Sequence, residues 1–262
     1  MKPDTFCGQV AVITGASAGI GRALALQLAR QGAKVVIAAR RAERLESLAE
    51  ECRALGAEVL VAPTDVTDEM QCKTMVEKTI AAFGRLDLLI NNAGLAVTAL
   101  FDDYHDLELF RYNVEVNFYG AVNCTYHALP YLKQSKGRIV TVSSLGGKSP
   151  LPGNTSYCSS KFALHGFFDS LRMELKHCGV SVTMICPWWV MTEFHEAMLN
   201  KDGVPRGVRG RAIYTKRTMT ADRCAEITLH AAAKRRREVL MGPGLLIPGC
   251  ACCRLVLWIG SF

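Results

Sequence analysis

Short, nearly unbroken apolar runs alternate along the chain with longer stretches in which apolar residues recur every three or four positions. The runs are Val10–Ile13, Val35–Ala38, Val59–Val61, Leu86–Ile90, Ile139–Val142 and Val180–Ile185. Their continuity, in place of strict alternation, predicts strands buried on both faces, which is the condition of a parallel sheet. Between them Ile20, Leu24 and Leu28, then Leu45, Leu48, Cys52 and Leu55, then Met75, Thr79 and Ala82 fall at helical spacing. Each crossover therefore has an apolar stripe to lay on the sheet. The pattern predicts an α/β protein: a single doubly wound domain with a parallel sheet of about seven strands and helices on both faces. A last strand is expected near Val239–Met241.

Two segments break this rhythm. From Thr192 to Thr220 the chain carries Gly203, Pro205, Gly207 and Gly210 among charged residues. That is too long for an ordinary connection, and it predicts a substrate lid over about 192–220. After Gly242 the chain turns apolar but is broken by Pro243, Pro248 and several glycines. The expected organisation is a catalytic domain over 1–242 and an apolar tail over 243–262.

Half of the 262 residues are hydrophobic and 21% are charged, which excludes a disordered chain and leaves ample material for a core. The eleven cysteines are odd in number and lack paired zinc spacing. They point to a reducing, intracellular and cytoplasmic setting and to no metal. The first strand follows Met1 too closely to leave room for a signal peptide. Net charge is +7, but residues 201–237 hold eleven lysines and arginines against three acids, so the rest of the chain is nearly neutral. One basic flank fits an anionic surface or a phosphate-bearing ligand better than nucleic acid, and a solvated helix face fits it equally well.

The first strand ends in Thr14-Gly15-Ala16-Ser17-Ala18-Gly19-Ile20-Gly21 and runs directly into a helix. Glycines let the backbone approach a phosphate, and the free N–H groups of the helix start supply the field that binds it. The spacing Gly-x3-Gly-x-Gly differs from Gly-x-Gly-x-x-Gly, and no Gly-Lys-Ser/Thr follows, which excludes a P-loop ATPase. Tyr157 and Lys161 stand four apart on a predicted helix, hence on one face, where an ammonium would favour the phenolate. Ser144 lies just past the strand ending at Val142, at the carboxyl edge where open α/β sheets bind ligands. The register turns one member of the Ser143–Ser144 pair away, and Ser143 is assigned a structural role.

These elements, together with Asp65-Val66, Asn91-Asn92-Ala93-Gly94, Asn117-Phe-Tyr-Gly120, Tyr157-x-x-x-Lys161 and Pro187-x-x-Val190-x-Thr192, make the chain resemble the short-chain dehydrogenase/reductase family from about Gly8 to Gly242. The stretch Val142–Leu175 is similar to the 11β-hydroxysteroid dehydrogenase branch. The resemblance implies a Rossmann domain in which Tyr157 is the acid/base and Lys161 lowers its pKa and holds the nicotinamide ribose. Ser144 would polarise the substrate oxygen and Asn117 would hold a relay water. It further implies that Gly15, Ser17, Gly19, Ile20, Gly21, Asp65, Val66, Asn92, Ala93, Gly94, Pro187, Val190 and Thr192 line the cofactor site, Asn92 as a brace of the sheet centre, and that the chain is a homo-oligomer. One departure stands out: Trp188 replaces the family's usual glycine after Pro187, which changes the shape of the pocket.

An acid at the end of the second strand would bind the ribose of NAD; here the chain has Ala39-Arg40-Arg41. Two guanidiniums and no carboxylate favour the 2′-phosphate of NADP over NAD. The expected protein is an NADP(H)-dependent oxidoreductase interconverting an alcohol and a ketone or aldehyde on an apolar, steroid-, retinoid- or lipid-like substrate. The alternative is a non-catalytic NADP(H) sensor or scaffold, which would leave Asn117, Ser144, Tyr157 and Lys161 without a chemical use.

The tail adds a peripheral membrane contact to these expectations, with packing over the substrate pocket or a subunit interface as the alternative. Residues 245–262 hold Leu245, Leu246, Ile247, Leu255, Val256, Leu257, Trp258, Ile259 and Phe262 with Arg254 as their single charge, just after the basic cluster Lys234–Arg237. Basic residues attract anionic headgroups and an interfacial tryptophan suits the boundary, while Pro248, Gly249 and Arg254 interrupt any span. Truncation after Gly242 is expected to abolish flotation with anionic liposomes; a full-length chain that never floats at low salt refutes the membrane contact.

Overall fold

The structure, a computed structural model, describes residues 5–215 and 218–242. Along β1 (Val10–Thr14), Ala11 and Ile13 enter one apolar layer and Val10 and Val12 the other. Both faces of the strand are covered, which is the physical reason its sequence is an unbroken apolar run. The same holds across β2 (Lys34–Ala39), β4 (Leu88–Asn91), β5 (Arg138–Val142) and β6 (Ser181–Pro187), with β3 (Val59–Pro63) and β9 (Glu238–Met241) at the edges. The seven strands are parallel in the order β3-β2-β1-β4-β5-β6-β9. The expected single doubly wound α/β domain is what is found.

On one face α1 (Gly19–Arg30), α2 (Ala42–Ala54) and α8 (Ala221–Ala233) bury Leu24, Leu28, Leu45, Leu48 and Leu229. On the other face α3 (Glu69–Phe83), α5 (Gly120–Ser135) and α6 (Thr155–Glu174) bury Met75, Cys124, Leu132, Leu164 and Phe168. Local chemistry sets the ends: the Asp68 side chain accepts from the Gln71 backbone N–H at the start of α3, and Gly84 closes it in a left-handed conformation at φ 72°.

One feature had no counterpart in the apolar pattern. A short helix α4 (Glu108–Val114) continues into α5 through a π-helical turn, Glu115–Tyr119. Gly120, the first residue of α5, passes so close to Val66 that a Cβ there would lie 2.5 Å from Val66 Cγ2. The helix is thereby pressed onto the loop that follows β3.

The 192–220 segment is tied at its base by a parallel pair, β7 (Val190–Met191) and β8 (Met219–Thr220), and contains α7 (Phe194–Ala197). The tail 243–262 lies outside the described residues, and with it the expected membrane contact. Among the described residues, no helix is long and apolar enough to cross a membrane.

Phe168 is fully buried under α6. Phe168→Ala is expected to cost about 3–5 kcal/mol by opening a cavity in that layer, read as a lowered midpoint in urea denaturation with the slope unchanged.

Candidate active site

The strand order reverses between β1 and β4, and there the two strand ends are stitched together. Thr14 Oγ1 accepts from the N–H groups of Asn92 and Ala93, at 3.0 and 3.1 Å, and donates to Ile90 O at 3.3 Å. The Asn92 amide donates to Thr14 O at 2.9 Å and to Gly15 O at 3.2 Å. This leaves no space for a side chain at Gly15 or Gly21. A Cβ on Gly15, whose φ is 65°, would lie 2.8 Å from Ala93 Cα, and one on Gly21 would strike Gly15 O and the Asn92 amide. α1 then starts with no side-chain cap and no acid in its first turn. Its free N–H groups, its positive end and the glycine-bordered cradle fit the pyrophosphate of a dinucleotide.

A cavity of about 660 Å³ opens from this loop across the carboxyl ends of the strands. Every residue expected at the site lines it except Gly21, which is packed beneath the loop, and Asn117. Arg40 and Arg41 diverge: Arg40 Nη1 donates to the Tyr112 hydroxyl at 2.6 Å, whereas Arg41 donates from Nη2 and Nε to Ser17 Oγ at 2.9 and 3.3 Å. Arg41 therefore sits on the glycine loop. Partial burial and the neighbouring Arg44 hold its pKa below the usual arginine value, with Glu193 working the other way. Asp65 turns its Oδ1 onto Thr67, accepting from the backbone N–H at 3.0 Å and the hydroxyl at 2.8 Å.

Ser144 caps a single 3₁₀ turn, Leu145–Gly147, and accepts from Gly146 N–H at 3.0 Å. Its hydroxyl stands beside Tyr157 and works to lower the phenol's pKa, yet burial dominates and pushes it up to about 12. Lys161 is 5% exposed, donates from Nζ to Val142 O at 3.0 Å, and is pushed down by burial to about 8. Its Nζ lies 5.7 Å from the Tyr157 ring centroid. At that separation burial governs the phenol, and the tyrosine remains protonated at neutral pH.

Asn117 lies in the π turn and is almost fully buried. Its Oδ1 accepts from Leu95 N–H at 2.8 Å, and its Nδ2 faces Leu95 O, Asn113 Oδ1 and Ser160 Oγ at 2.9, 2.6 and 2.9 Å. A Cβ on Gly94 would lie 3.0 Å from Asn117 Oδ1 and 3.7 Å from Lys161 Nζ. Asn117 thus stands behind the cavity wall, fixing the loop after β4 beside the lysine. Ser143 is turned onto His165, with Oγ 3.1 Å from Nε2.

The sequence profile described as short chain dehydrogenase matches residues 9–203. The chain belongs to the short-chain dehydrogenase/reductase family of oxidoreductases. A Dictyostelium discoideum protein named dehydrogenase/reductase SDR family protein 7-like is 39% identical over 246 residues, 91% of this chain and 76% of that protein. An Arabidopsis thaliana protein named 11-beta-hydroxysteroid dehydrogenase-like 2 is 41% identical over 191 residues, 72% of this chain and 62% of the relative. The chain therefore spans about three-fifths of the length of that plant relative. Among solved structures, a Burkholderia phymatum short chain dehydrogenase/reductase in complex with NAD superposes with a TM-score of 0.81 at 27% identity, covering 92% of each chain. An alcohol dehydrogenase from Thermococcus sibiricus complexed with 5-hydroxy-NADP gives 0.78 at 27% identity, covering 92% of this chain and 99% of that one.

Within this member of the family, several cavity residues carried no signal in the sequence. Trp189 and His195 belong to no motif, and they meet only because the chain after β6 folds back on itself. His195 stacks within 5.1 Å of Trp189 and 5.6 Å of Phe194, and its Nδ1 is 2.8 Å from the Tyr214 hydroxyl. Burial lowers its pKa to about 4, so it is neutral at physiological pH. The Tyr214 hydroxyl in turn donates to Thr192 O at 2.7 Å. Trp188 donates its backbone N–H to Met241 O at 2.7 Å and sets its ring against Trp189 at 5.5 Å, leaving both indoles on the cavity wall.

Gly15→Ala tests the cradle. A methyl group 2.8 Å from Ala93 Cα, at a left-handed φ, is expected to weaken nucleotide binding at least about tenfold and to cost about 1–2 kcal/mol of stability. Fluorescence titration with the cofactor and thermal melting check the two effects.

Proposed function

We propose that this chain is an NADP(H)-dependent oxidoreductase interconverting an alcohol and a ketone or aldehyde on an apolar, steroid-, retinoid- or lipid-like substrate. The observation that carries the reading is the buried Tyr157 phenol, set beside Ser144 next to Gly146 and lining the same cavity as the phosphate-binding loop. A bound nicotinamide cofactor would supply or accept the hydride. The chain itself binds, orients and moves the proton.

Gly15, Ser17, Gly19 and Ile20 with the start of α1 take the pyrophosphate, and Arg40 and Arg41 face the 2′-phosphate. Asp65 and Val66 border the adenine end; Asn92, Ala93 and Gly94 let the backbone approach; Pro187, Val190 and Thr192 border the nicotinamide end. At the substrate oxygen Ser144 donates a hydrogen bond, and Tyr157 passes its phenolic proton to that oxygen during reduction. In oxidation the same tyrosine takes the alcohol proton. Lys161, short of its usual basicity, holds the ribose, and Asn117, the residue expected to hold a relay water, also keeps the lysine's surroundings in place. Leu95, Leu151, Trp188, Phe194, Met198 and Leu199 wall the substrate side and match an apolar body. The names of the plant relatives and the NADP-type ligand of the archaeal enzyme support the same reading. A homo-oligomer and a peripheral membrane contact through the tail complete the proposal.

Tyr157→Phe is expected to lower turnover about 10²–10⁴-fold while leaving NADPH affinity unchanged, because only the proton carrier is removed. Retention of more than about a tenth of the wild-type rate contradicts the role. The pH dependence follows from the raised phenol. A tyrosine held protonated to about 12 keeps carbonyl reduction flat through neutrality, whereas alcohol oxidation, which needs the phenolate, rises with pH across the alkaline range. Rate profiles measured in both directions check this; an oxidation rate that falls as pH rises refutes it.

A further inference from the structure

Glu193 follows Thr192 at the start of the 192–220 segment, yet its carboxylate reaches across the cavity mouth to the start of α2. Its Oε2 lies 2.5 Å from Arg44 Nη1 and 3.9 Å from Arg41 Nη1. Arg41 is the same guanidinium that grips Ser17 of the glycine loop. Around the end of β2, Arg40, Arg41 and Arg44 thus gather three cations, and the acid facing them comes from the opposite side of the cleft rather than from their own helix. Arg44 had no place in the sequence reading; one helical turn past Arg40, it joins the cluster through Glu193.

We propose that Glu193 is a specificity-determining residue that stands in for the 2′-phosphate: its carboxylate latches the 192–220 segment to Arg41 and Arg44, and a phosphorylated cofactor, unlike NAD(H), displaces it. The inference rests on the NADP(H) reading above. A phosphomonoester carries roughly −1.5 to −2 charges against the carboxylate's single one, and it takes forked hydrogen bonds from arginine. The latch is about half-exposed at each of its three side chains, so it is held weakly and screened by salt. The phosphate therefore wins the guanidiniums, and the carboxylate is left beside it as a like charge. NAD(H) brings no anion to this corner and leaves the latch in place. Cofactor choice and the freedom of the segment that walls the substrate side are in this way one equilibrium.

The test is cofactor binding by fluorescence titration at low salt, without turnover, on the wild type and on Glu193→Gln, Arg44→Gln and Arg41→Gln. Glu193→Gln is expected to tighten NADP(H) about threefold to tenfold and to move NAD(H) less than about twofold, with the gain fading as salt rises. Arg44→Gln and Arg41→Gln are expected to weaken NADP(H) selectively. Trypsin is expected to cut the cofactor-free Glu193→Gln protein faster than the wild type at Arg206 and Arg209, because the latch is gone. Thermal melting of each variant monitors folding. Tighter binding of both cofactors alike, no change, or weaker NADP(H) binding in Glu193→Gln each overturns the displacement, the last by making Glu193 a support for the arginines. If Arg41→Gln leaves NADP(H) affinity untouched, the phosphate site is elsewhere and the cofactor reading falls with the inference; if it weakens binding while Glu193→Gln does not tighten it, the inference alone falls.

Discussion

Everything at the site depends on how β1 and β4 are held at their carboxyl ends. These neighbours lead their chains to opposite sides, so a crevice must open above them. Thr14 and Asn92 decide its width, because one hydroxyl takes two N–H groups from the facing strand while the Asn92 amide returns two bonds to the loop it borders. With that amide in place, Gly15 and Gly21 cannot carry side chains. Backbone N–H groups and the end of α1 are then what a ligand meets. The glycines are a consequence of the stitch as much as of the phosphate.

Burial sets the chemistry beside that crevice. Tyr157 and Lys161 are both withdrawn from water, and withdrawal disfavours the charged form of each, so one pKa rises and the other falls. Two groups of nearly equal proton affinity in water are thereby driven apart, to about 12 and about 8. Val142 O takes the hydrogen bond that keeps the lysine oriented, and Asn117, in a π turn behind Gly94, holds the wall between the lysine and the loop after β4. π turns in otherwise regular helices commonly accompany such sites. Here the turn places an amide where an uninterrupted helix would present a different face.

Leu199 exchanges backbone bonds with Ala96 and Thr98, and three further contacts hold the long segment after β6 over the remaining side. Tyr214 bonds the backbone of Thr192, β7 pairs with β8, and Glu193 meets the arginines of α2. The first two lie within the segment and shape it. The third reaches the arginines across the crevice, and being half-exposed it is the one that ligand charge can rearrange.

The strands were legible in the sequence because a strand covered on both faces must be apolar throughout, and the glycine loop and the Tyr157–Lys161 pair because each depends on spacing within one element. The expected cofactor residues fall together around one cavity for the same reason: they sit at consecutive strand ends, and a parallel sheet brings those ends to one edge. Contacts between distant elements were another matter. That Arg40 turns to Tyr112 while Arg41 turns to Ser17, that Arg44 meets Glu193, and that His195 nests between Trp189 and Tyr214 depend on where loops of irregular backbone place side chains far apart in the chain. No period or spacing records such meetings. The sequence by itself determined the layers, the loop and the residue types of the site; the tertiary structure decided the protonation of Tyr157 and Lys161 and the pairing of the arginines, because desolvation and charge act through space and are set only once the chain has packed.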